Sequence, residues 1–298
     1  MYLQPCDWIE HDVNFKYVID VFGRTDAGDI TRLRITGFRP YLYLKAVDGE
    51  TPASIENDLV NATEKKLRGI EITKETKLDA MRGFSNLTPV SVWRISCPAL
   101  WMFKVVVKAL KGHKLGKRRV LTEDIYEANL PPLLRFFHER EIQSASPISF
   151  EGDTTDSEDD LNVDVCYETE YDCINPAPSI TIPLYVGAYD IEVYSDSGQF
   201  PVSSNTKDEI IQIGFSLRWS DMLLQSEARY VFVSGPCSPS KDPSVTFVSC
   251  KNERDLLQKF HACILEENPD ILSGYNTFGF DDAYIADRCE KLGLELNF

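Results

Sequence analysis

Short apolar blocks and alternating stretches run through most of the chain, and their periods divide it into strands and helices. The block Leu184–Tyr194 is apolar and β-branched except for Asp190 and Glu192. As a strand it turns both acids toward one face, because side chains two apart on a pleated strand share a side. Near the N-terminus, Phe15–Thr25 leads through the turn Asp26–Asp29 into Ile30–Gly37, a half-buried strand by its alternation, and Tyr41–Lys45 follows Gly37–Pro40. Val92–Ile95 reads as another strand. A helical period covers 53–69, with Ser54 as N-cap and Ile55, Leu59, Ala62 and Leu67 in its stripe. A second covers Leu100–Leu110, through Phe103, Val106, Val107 and Leu110. Leu130–Arg140 opens on prolines, as helix entrances do, and its Phe136, Phe137 and His138 read as packing residues.

After the Asp190/Glu192 strand come Glu209–Trp219 and Arg229–Ser234, read as a hairpin. Asn252 then caps a helix carrying Leu256, Leu257, Phe260, Cys263 and Ile264. Pro269–Asn276 stops that helix and holds a short strand, and a further helix starts at Asp281. Three antiparallel strands, a crossover helix, a fourth strand and a helix form the order of a ribonuclease-H-like fold, although many α/β domains share pieces of it. The fold class expected is α/β.

A length of 298 residues suits about two domains. The net charge of −16 argues against a nucleic-acid partner only until its distribution is read. Ten acids and no Lys or Arg lie between Glu151 and Asp172, whereas seven basic residues and no acid lie between Lys104 and Arg119. The acidic run reads as a loop or disordered linker, which divides the chain into an α+β domain at 1–150, a linker at 151–180 and a second domain at 181–298. The basic run is either a solvated fringe or a phosphate-contacting patch through Lys111, Lys114, Lys117, Arg118 and Arg119. The eight cysteines are scattered without Cys-x-x-Cys spacing, so no zinc site or disulfide framework is indicated. No apolar run approaches bilayer-spanning length and the N-terminus lacks a signal-like segment, so an intracellular, soluble protein without a membrane partner is expected.

Two acids on a buried strand repel each other and resist desolvation unless a divalent cation lies between them, and hard ions such as magnesium or manganese take oxygen ligands. The bland alternative is a partly exposed strand with its acids in solvent. Asp-x-Glu also occurs at 48–50 and 156–158 outside any expected strand.

Here the motifs reach a known family. Tyr189-Asp190-Ile191-Glu192 resembles the first exonuclease motif of family B DNA polymerases. Gly274–Arg288, with Tyr275-Asn276, Phe280-Asp281, Tyr284 and Arg288 in register, resembles the second. Val21–Thr25, Gly37–Tyr43, Tyr126–His138 and Ser197–Pro201 are similar to the delta-type enzymes, most of all those of large double-stranded DNA viruses. The resemblance implies a 3′-5′ proofreading site. In it Asp190, Glu192 and Asp281 hold two magnesium or manganese ions, while Asn276, Phe280 and Tyr275 seat an unpaired 3′ end. Read without it, Asp281 is an N-cap, Asn276 a turn residue and Phe280 core.

The resemblance also implies primer-template DNA with a single-stranded 3′ end, the remaining polymerase portion in cis or trans, and a sliding clamp as partners, in the nucleus or at a viral replication site. A third exonuclease motif and the polymerase motifs do not occur in this sequence. The expectation is therefore an N-terminal domain plus the first part of an exonuclease domain, inefficient alone in primer extension and DNA degradation. The alternatives are a non-catalytic nucleic-acid-binding or assembly subunit of a split polymerase, and a free-standing nuclease that borrows an acid from 151–172.

Overall fold

Strands β1 (Tyr2–Val13) and β2 (Lys16–Thr25) pair antiparallel through a two-residue turn, Asn14-Phe15, with both residues at positive φ, 50° and 62°. Such a turn matches the twist of a hairpin. Asn adopts it readily; Phe15, its ring 78% exposed, is strained there. Strand β3 (Ile30–Thr36) adds to β2 across the expected turn, where the Thr25 N–H donates to the Asp29 carbonyl at 2.9 Å. The computed structural model describes residues 1–63, 67–78, 88–112, 114–156, 162–221, 228–238 and 241–296. They fall into two units, Met1–Thr181 and Ile182–Phe298.

In the first unit, β4 (Tyr41–Lys45), α1 (Pro52–Thr63), β5 (Glu71–Leu78), β6 (Pro89–Ser96) and α2 (Leu100–Lys111) follow. A small hairpin of β7 (Lys114–Leu115) and β8 (Arg118–Arg119) leads to β9 (Ile125–Tyr126). These make a four-stranded sheet in the order β5-β6-β4-β9. Its Leu42, Leu44, Trp93 and Ile95 share one core with Ile55, Leu59, Phe103 and Val106 of the two helices. Tyr41, Tyr43 and Val92, of opposite parity on their strands, form a separate cluster. The guanidinium groups of Arg94 and Arg135 sit over the Tyr41 ring, 3.8 and 4.1 Å from its centre. Helix α3 (Pro132–Glu139) buries Phe136 among Leu3, Ile19, Leu33 and Phe38. Strands β10 (Ile148–Ser149), β11 (Asp153–Thr155), β12 (Val165–Glu170) and β13 (Asn175–Pro176) extend the first sheet to β11-β12-β3-β2-β1-β10-β13.

The acidic stretch is therefore not a linker where it is described. Strand β12 runs parallel to β3, with Val165 beside Thr31 and Glu170 beside Thr36, and β11 pairs with β12. Composition misleads here because a strand added to an existing edge gains its backbone partners from its neighbour and needs few apolar side chains. Cys166 and Thr169 are buried while Glu168 and Glu170 stay exposed. Asp164 Oδ2 accepts the Ile30 N–H at 2.7 Å and so pins the strand's start. Residues 157–161 of the stretch lie outside the described residues. The helix expected at 53–69 is seen over Pro52–Thr63, with 64–66 outside the described residues and 67–69 not helical, and it is capped by Thr51 rather than Ser54. The Ser54 N–H donates to Thr51 Oγ1 at 3.2 Å and the Thr51 N–H to Ser54 Oγ at 2.9 Å, a reciprocal box with Pro52 at the first helical position. Ala62 is exposed, and Leu67 is buried beyond the helix end.

The second unit contains β14 (Tyr185–Val193), β15 (Ile210–Trp219), β16 (Ala228–Ser234), β17 (Val245–Cys250), α4 (Glu253–Glu267), β18 (Ile271–Ser273) and α5 (Asp281–Leu292). Its sheet runs β17-β16-β15-β14-β18. The central pairs are antiparallel, β18 lies parallel to β14, and β17, unforeseen in the sequence, lies parallel to β16. Asn252 caps α4 as expected, its Oδ1 accepting the Asp255 N–H at 3.0 Å. Phe260 of α4 meets Tyr189, Phe215 and Phe232 of the sheet at ring separations of 5.5–5.7 Å. Among the described residues no helix is long and apolar enough to cross a membrane.

The strained turn gives a direct test. Phe15→Gly removes the side chain that disfavours positive φ and gives up little packing. It is expected to stabilise the first unit by about 1 kcal/mol in denaturant unfolding; an unchanged or lowered midpoint would show that the turn is not strained.

Candidate active site

Strand β14 has two different edges. It pairs with β15 along its length, but with β18 only from Val186 to Ala188. Beyond that point its edge has no strand partner among the described residues, and the gap is closed by a carboxylate: Asp281 Oδ1 accepts the Ile191 N–H at 3.1 Å. Local sequence makes this reach possible. A Cβ on Gly274 would stand 2.6 Å from the Tyr189 carbonyl oxygen, so only glycine lets the chain leave β18 flush against β14. Asn276 then takes a left-handed conformation, φ 57° and ψ 29°, and its carbonyl accepts from the N–H groups of Gly279 and Phe280 at 2.9 and 3.1 Å. This single turn delivers Asp281 to the first position of α5.

A second set of contacts fixes α5. Arg288 is buried and donates to Glu253 through Nε at 2.8 Å and Nη2 at 2.5 Å. Its Nη1 reaches the carbonyls of Ser203 and Asn205 at 3.2 and 2.7 Å. Glu253 Oε1 also accepts the Ile210 N–H at 2.9 Å, which ties α4 to β15. Tyr284 donates to the Asp208 carbonyl at 2.9 Å, and the Asp208 side chain accepts from the Val202 N–H and Asn205 Nδ2, each at 2.9 Å. Removing one partner of such a buried ion pair typically costs 3–5 kcal/mol, because the other charge is left stranded.

The acids sit in different environments. On β14, Gly187 and Ile191 face inward while Asp190 and Glu192 are exposed. The strand is thus the partly exposed one of the two alternatives, with Asp190 and Glu192 in solvent rather than desolvated together. That burden falls on Asp281, which is 3% exposed. Burial lifts its carboxyl above the usual aspartate range; the Ile191 N–H opposes the lift, and the charges of Asp190 and Asp282 add to it. Asp190 and Asp281 therefore feel each other, with Glu192 one residue further along the same face. Among the described residues no three Asp, Glu, His or Cys side chains converge as a ready-made cation cage. The donor set is nonetheless all hard oxygen. A divalent cation drawing Asp190 toward Asp281 would relieve both the like-charge repulsion and the buried charge, so the residues fit such an ion.

The other residues expected at the site divide. Asn276 is exposed, and Tyr275 and Phe278 flank it at 92% and 94% exposure. Phe280 is half-buried, with its ring 5.3 Å from both Phe200 and Tyr284. The Tyr189 hydroxyl bonds to Asp282. The basic residues belong to the first unit. Lys114, Lys117 and Arg119 are exposed there, and Lys111 donates to Asn129 Oδ1 at 2.6 Å. Arg118 instead serves the fold, paired with Glu50 at 2.9 Å and Asp124 at 3.5 Å and donating to the Lys45 carbonyl at 2.8 Å. Sequence reading missed Glu253, Asp208 and Asp282. The side-chain partners of Glu253 and Asp282 lie tens of residues away, Asp208 is tied to α5 only through its carbonyl and Tyr284, and only the motif position of Arg288 hinted at an ion pair.

A mixed five-stranded sheet in this order, with two acids on β14 beside the short edge strand β18 and a third at the start of the helix after β18, defines the class: an α/β domain with a carboxylate site at one sheet edge. The chain belongs to DNA polymerase family B, whose exonuclease-domain model matches residues 123–297. Exonuclease domains of that family are metal-dependent. Among relatives, the DNA polymerase of Acanthamoeba polyphaga mimivirus is 27% identical over 97% of this chain and 18% of its own length. That of Paramecium bursaria Chlorella virus NY2A is 27% identical over 95% and 30%. The DNA polymerase delta catalytic subunit of Mesocricetus auratus is 27% identical over 93% and 27%. The chain thus spans less than a third of each. The structure of the family B DNA polymerase from the archaeon Pyrobaculum calidifontis shares the fold, with a TM-score of 0.70 at 21% identity over 99% of this chain and 33% of that one.

The raised Asp281 pKa has a signed consequence. A carboxyl whose folded value lies above the ordinary 3.8 favours the folded state when protonated, and that contribution is lost as pH rises through the folded value. Asp281→Asn keeps an oxygen for the Ile191 N–H without the charge. It is expected to exceed the parent in stability at about pH 7, with the gap closing toward about pH 4. A gap independent of pH in parallel denaturant titrations would contradict the assignment.

Proposed function

We propose that this chain supplies the N-terminal part and the carboxylate side of the proofreading exonuclease site of a DNA-directed DNA polymerase, acting on the single-stranded 3′ end of primer-template DNA during nuclear or viral replication. The observation that carries the reading is the Asp281–Ile191 bond, which holds a buried acid beside Asp190 on a strand edge left open for it. In this reading Asp190, Glu192 and Asp281 hold two magnesium or manganese ions. Bound there, the ions would activate a water toward the terminal phosphodiester and stabilise the departing 3′ oxygen.

The protein's own residues do the rest. Asp281, fixed by the Ile191 N–H, is the preorganised ligand, whereas Asp190 and Glu192 are exposed and free to adjust around the ions. Asn276 and Tyr275, on the turn after Gly274, are exposed, and an unpaired strand end would lie against them. Phe280, braced by Phe200 and Tyr284, gives the end an apolar wall.

Cation binding tests this. Titrating the chain with manganese, followed by water-proton relaxation, is expected to reveal sites whose affinity drops at least tenfold in Asp190→Asn and in Asp281→Asn. Asp48→Asn, from the Asp-x-Glu pair outside any strand, should leave them unchanged. Equal manganese binding by all four proteins would refute the proposed ligand set.

A further inference from the structure

The first unit carries a feature that the carboxylate chemistry does not use. On α2, Leu100, Met102, Phe103, Val106 and Leu110 are buried. Lys104, Lys108 and Lys111, spaced i, i+4 and i+7, are exposed along the other side. At 1.5 Å rise per residue they make a row about 10 Å long. The β7–β8 hairpin continues directly from the helix and adds Lys114, Lys117 and Arg119, all exposed. From Leu100 to Thr122 there is no acidic residue, in a chain whose net charge is −16.

The hairpin is also held in shape. Arg118, the one basic residue of the group turned inward, joins it to Glu50, Asp124 and the Lys45 carbonyl, and Asp58 packs against Gly116 at its tip. Five lysines and an arginine thus stand on supported backbone rather than on a loose loop. Concentrating like charge has a cost in self-repulsion, which an anionic partner relieves.

The composition of the face says which anion. Between 104 and 119 no large apolar side chain is exposed, so the buried aromatic or aliphatic anchors that dominate protein interfaces are missing. Among the described residues of this stretch no aromatic ring is exposed either, so they offer unpaired bases nothing to stack on. What remains is a row of mobile point charges, suited to regularly spaced phosphates and indifferent to bases.

We propose that α2 and the β7–β8 hairpin form a sequence-independent contact for the phosphate backbone of duplex DNA, made by Lys104, Lys108, Lys111, Lys114, Lys117 and Arg119. The proposal extends the DNA-polymerase reading but does not depend on the carboxylates, which lie in the other unit.

The test is equilibrium binding of the chain to a fluorescein-labelled duplex of about 20 base pairs, in EDTA so that no cation site enters, from about 50 to 200 mM salt. Each phosphate neutralised contributes roughly 0.9 to the slope of log affinity against log salt on duplex DNA. Lys104→Gln/Lys108→Gln/Lys111→Gln is expected to lower that slope by about 2–3 and to weaken binding to unrelated duplex sequences alike, by roughly tenfold or more at 100 mM salt. Lys16→Gln/Lys241→Gln/Lys251→Gln removes equal charge elsewhere and should change the slope by less than about 1. No duplex binding by the parent at 50 mM salt, or equal losses in the two triple variants, would overturn the proposal. So would single-stranded DNA binding as tightly as duplex with the same dependence on the three lysines. The manganese titration is unaffected by these lysines, so either reading can fail alone.

Discussion

One hydrogen bond organises the second unit's chemistry: the Ile191 N–H donated to Asp281 across an edge that no strand of the described residues fills. A buried backbone donor must find an acceptor. Because β18 stops pairing at Ala188, that acceptor comes from a side chain. Choosing a carboxylate satisfies the backbone and also anchors an acid beside Asp190. Structure and candidate chemistry thus share one atom pair, and a change that moves α5 disturbs both.

The cost of placing an acid there is spread over the surrounding framework. Asp281 is lifted in pKa by burial and by its acidic neighbours, so without a counter-charge it opposes folding at neutral pH. Arg288 and Glu253, with Ile210 and the carbonyls of Ser203 and Asn205, hold α5 against the sheet independently of that carboxylate. Strain at the site with support elsewhere is the usual arrangement where a charged group is kept for a ligand rather than for stability.

Much of this was legible in the sequence because it is local. The Asp190/Glu192 strand and the Asn252 cap follow from period and capping chemistry, whereas Asp281, read on the same grounds as an N-cap, is the first helical residue after Phe280 and gives its carboxylate to the Ile191 N–H. Gly274, Asn276 and Phe280 were placed by motif resemblance rather than by physics. What stayed hidden depends on partners distant in sequence. Strand β12 looks like a disordered acidic run until β3 lends it an edge. Likewise β17 shows little alternation of its own and is specified by pairing with β16. Arg118 looks like one more member of a basic patch, and only the fold reveals Glu50 and Asp124 around it. Of the two readings of the acid pair, the partly exposed strand with its acids in solvent is the one the structure shows, and the buried acid is Asp281 instead.

The most direct measurement is an NMR titration of the Asp281 carboxyl carbon, with and without magnesium. The expected result is a pKa above the ordinary 3.8 in the cation-free protein, lower in Asp190→Asn and depressed when magnesium is added. An Asp281 that titrates at the ordinary value, indifferent to both Asp190 and magnesium, would contradict the central claim that these carboxylates form one cation-responsive site.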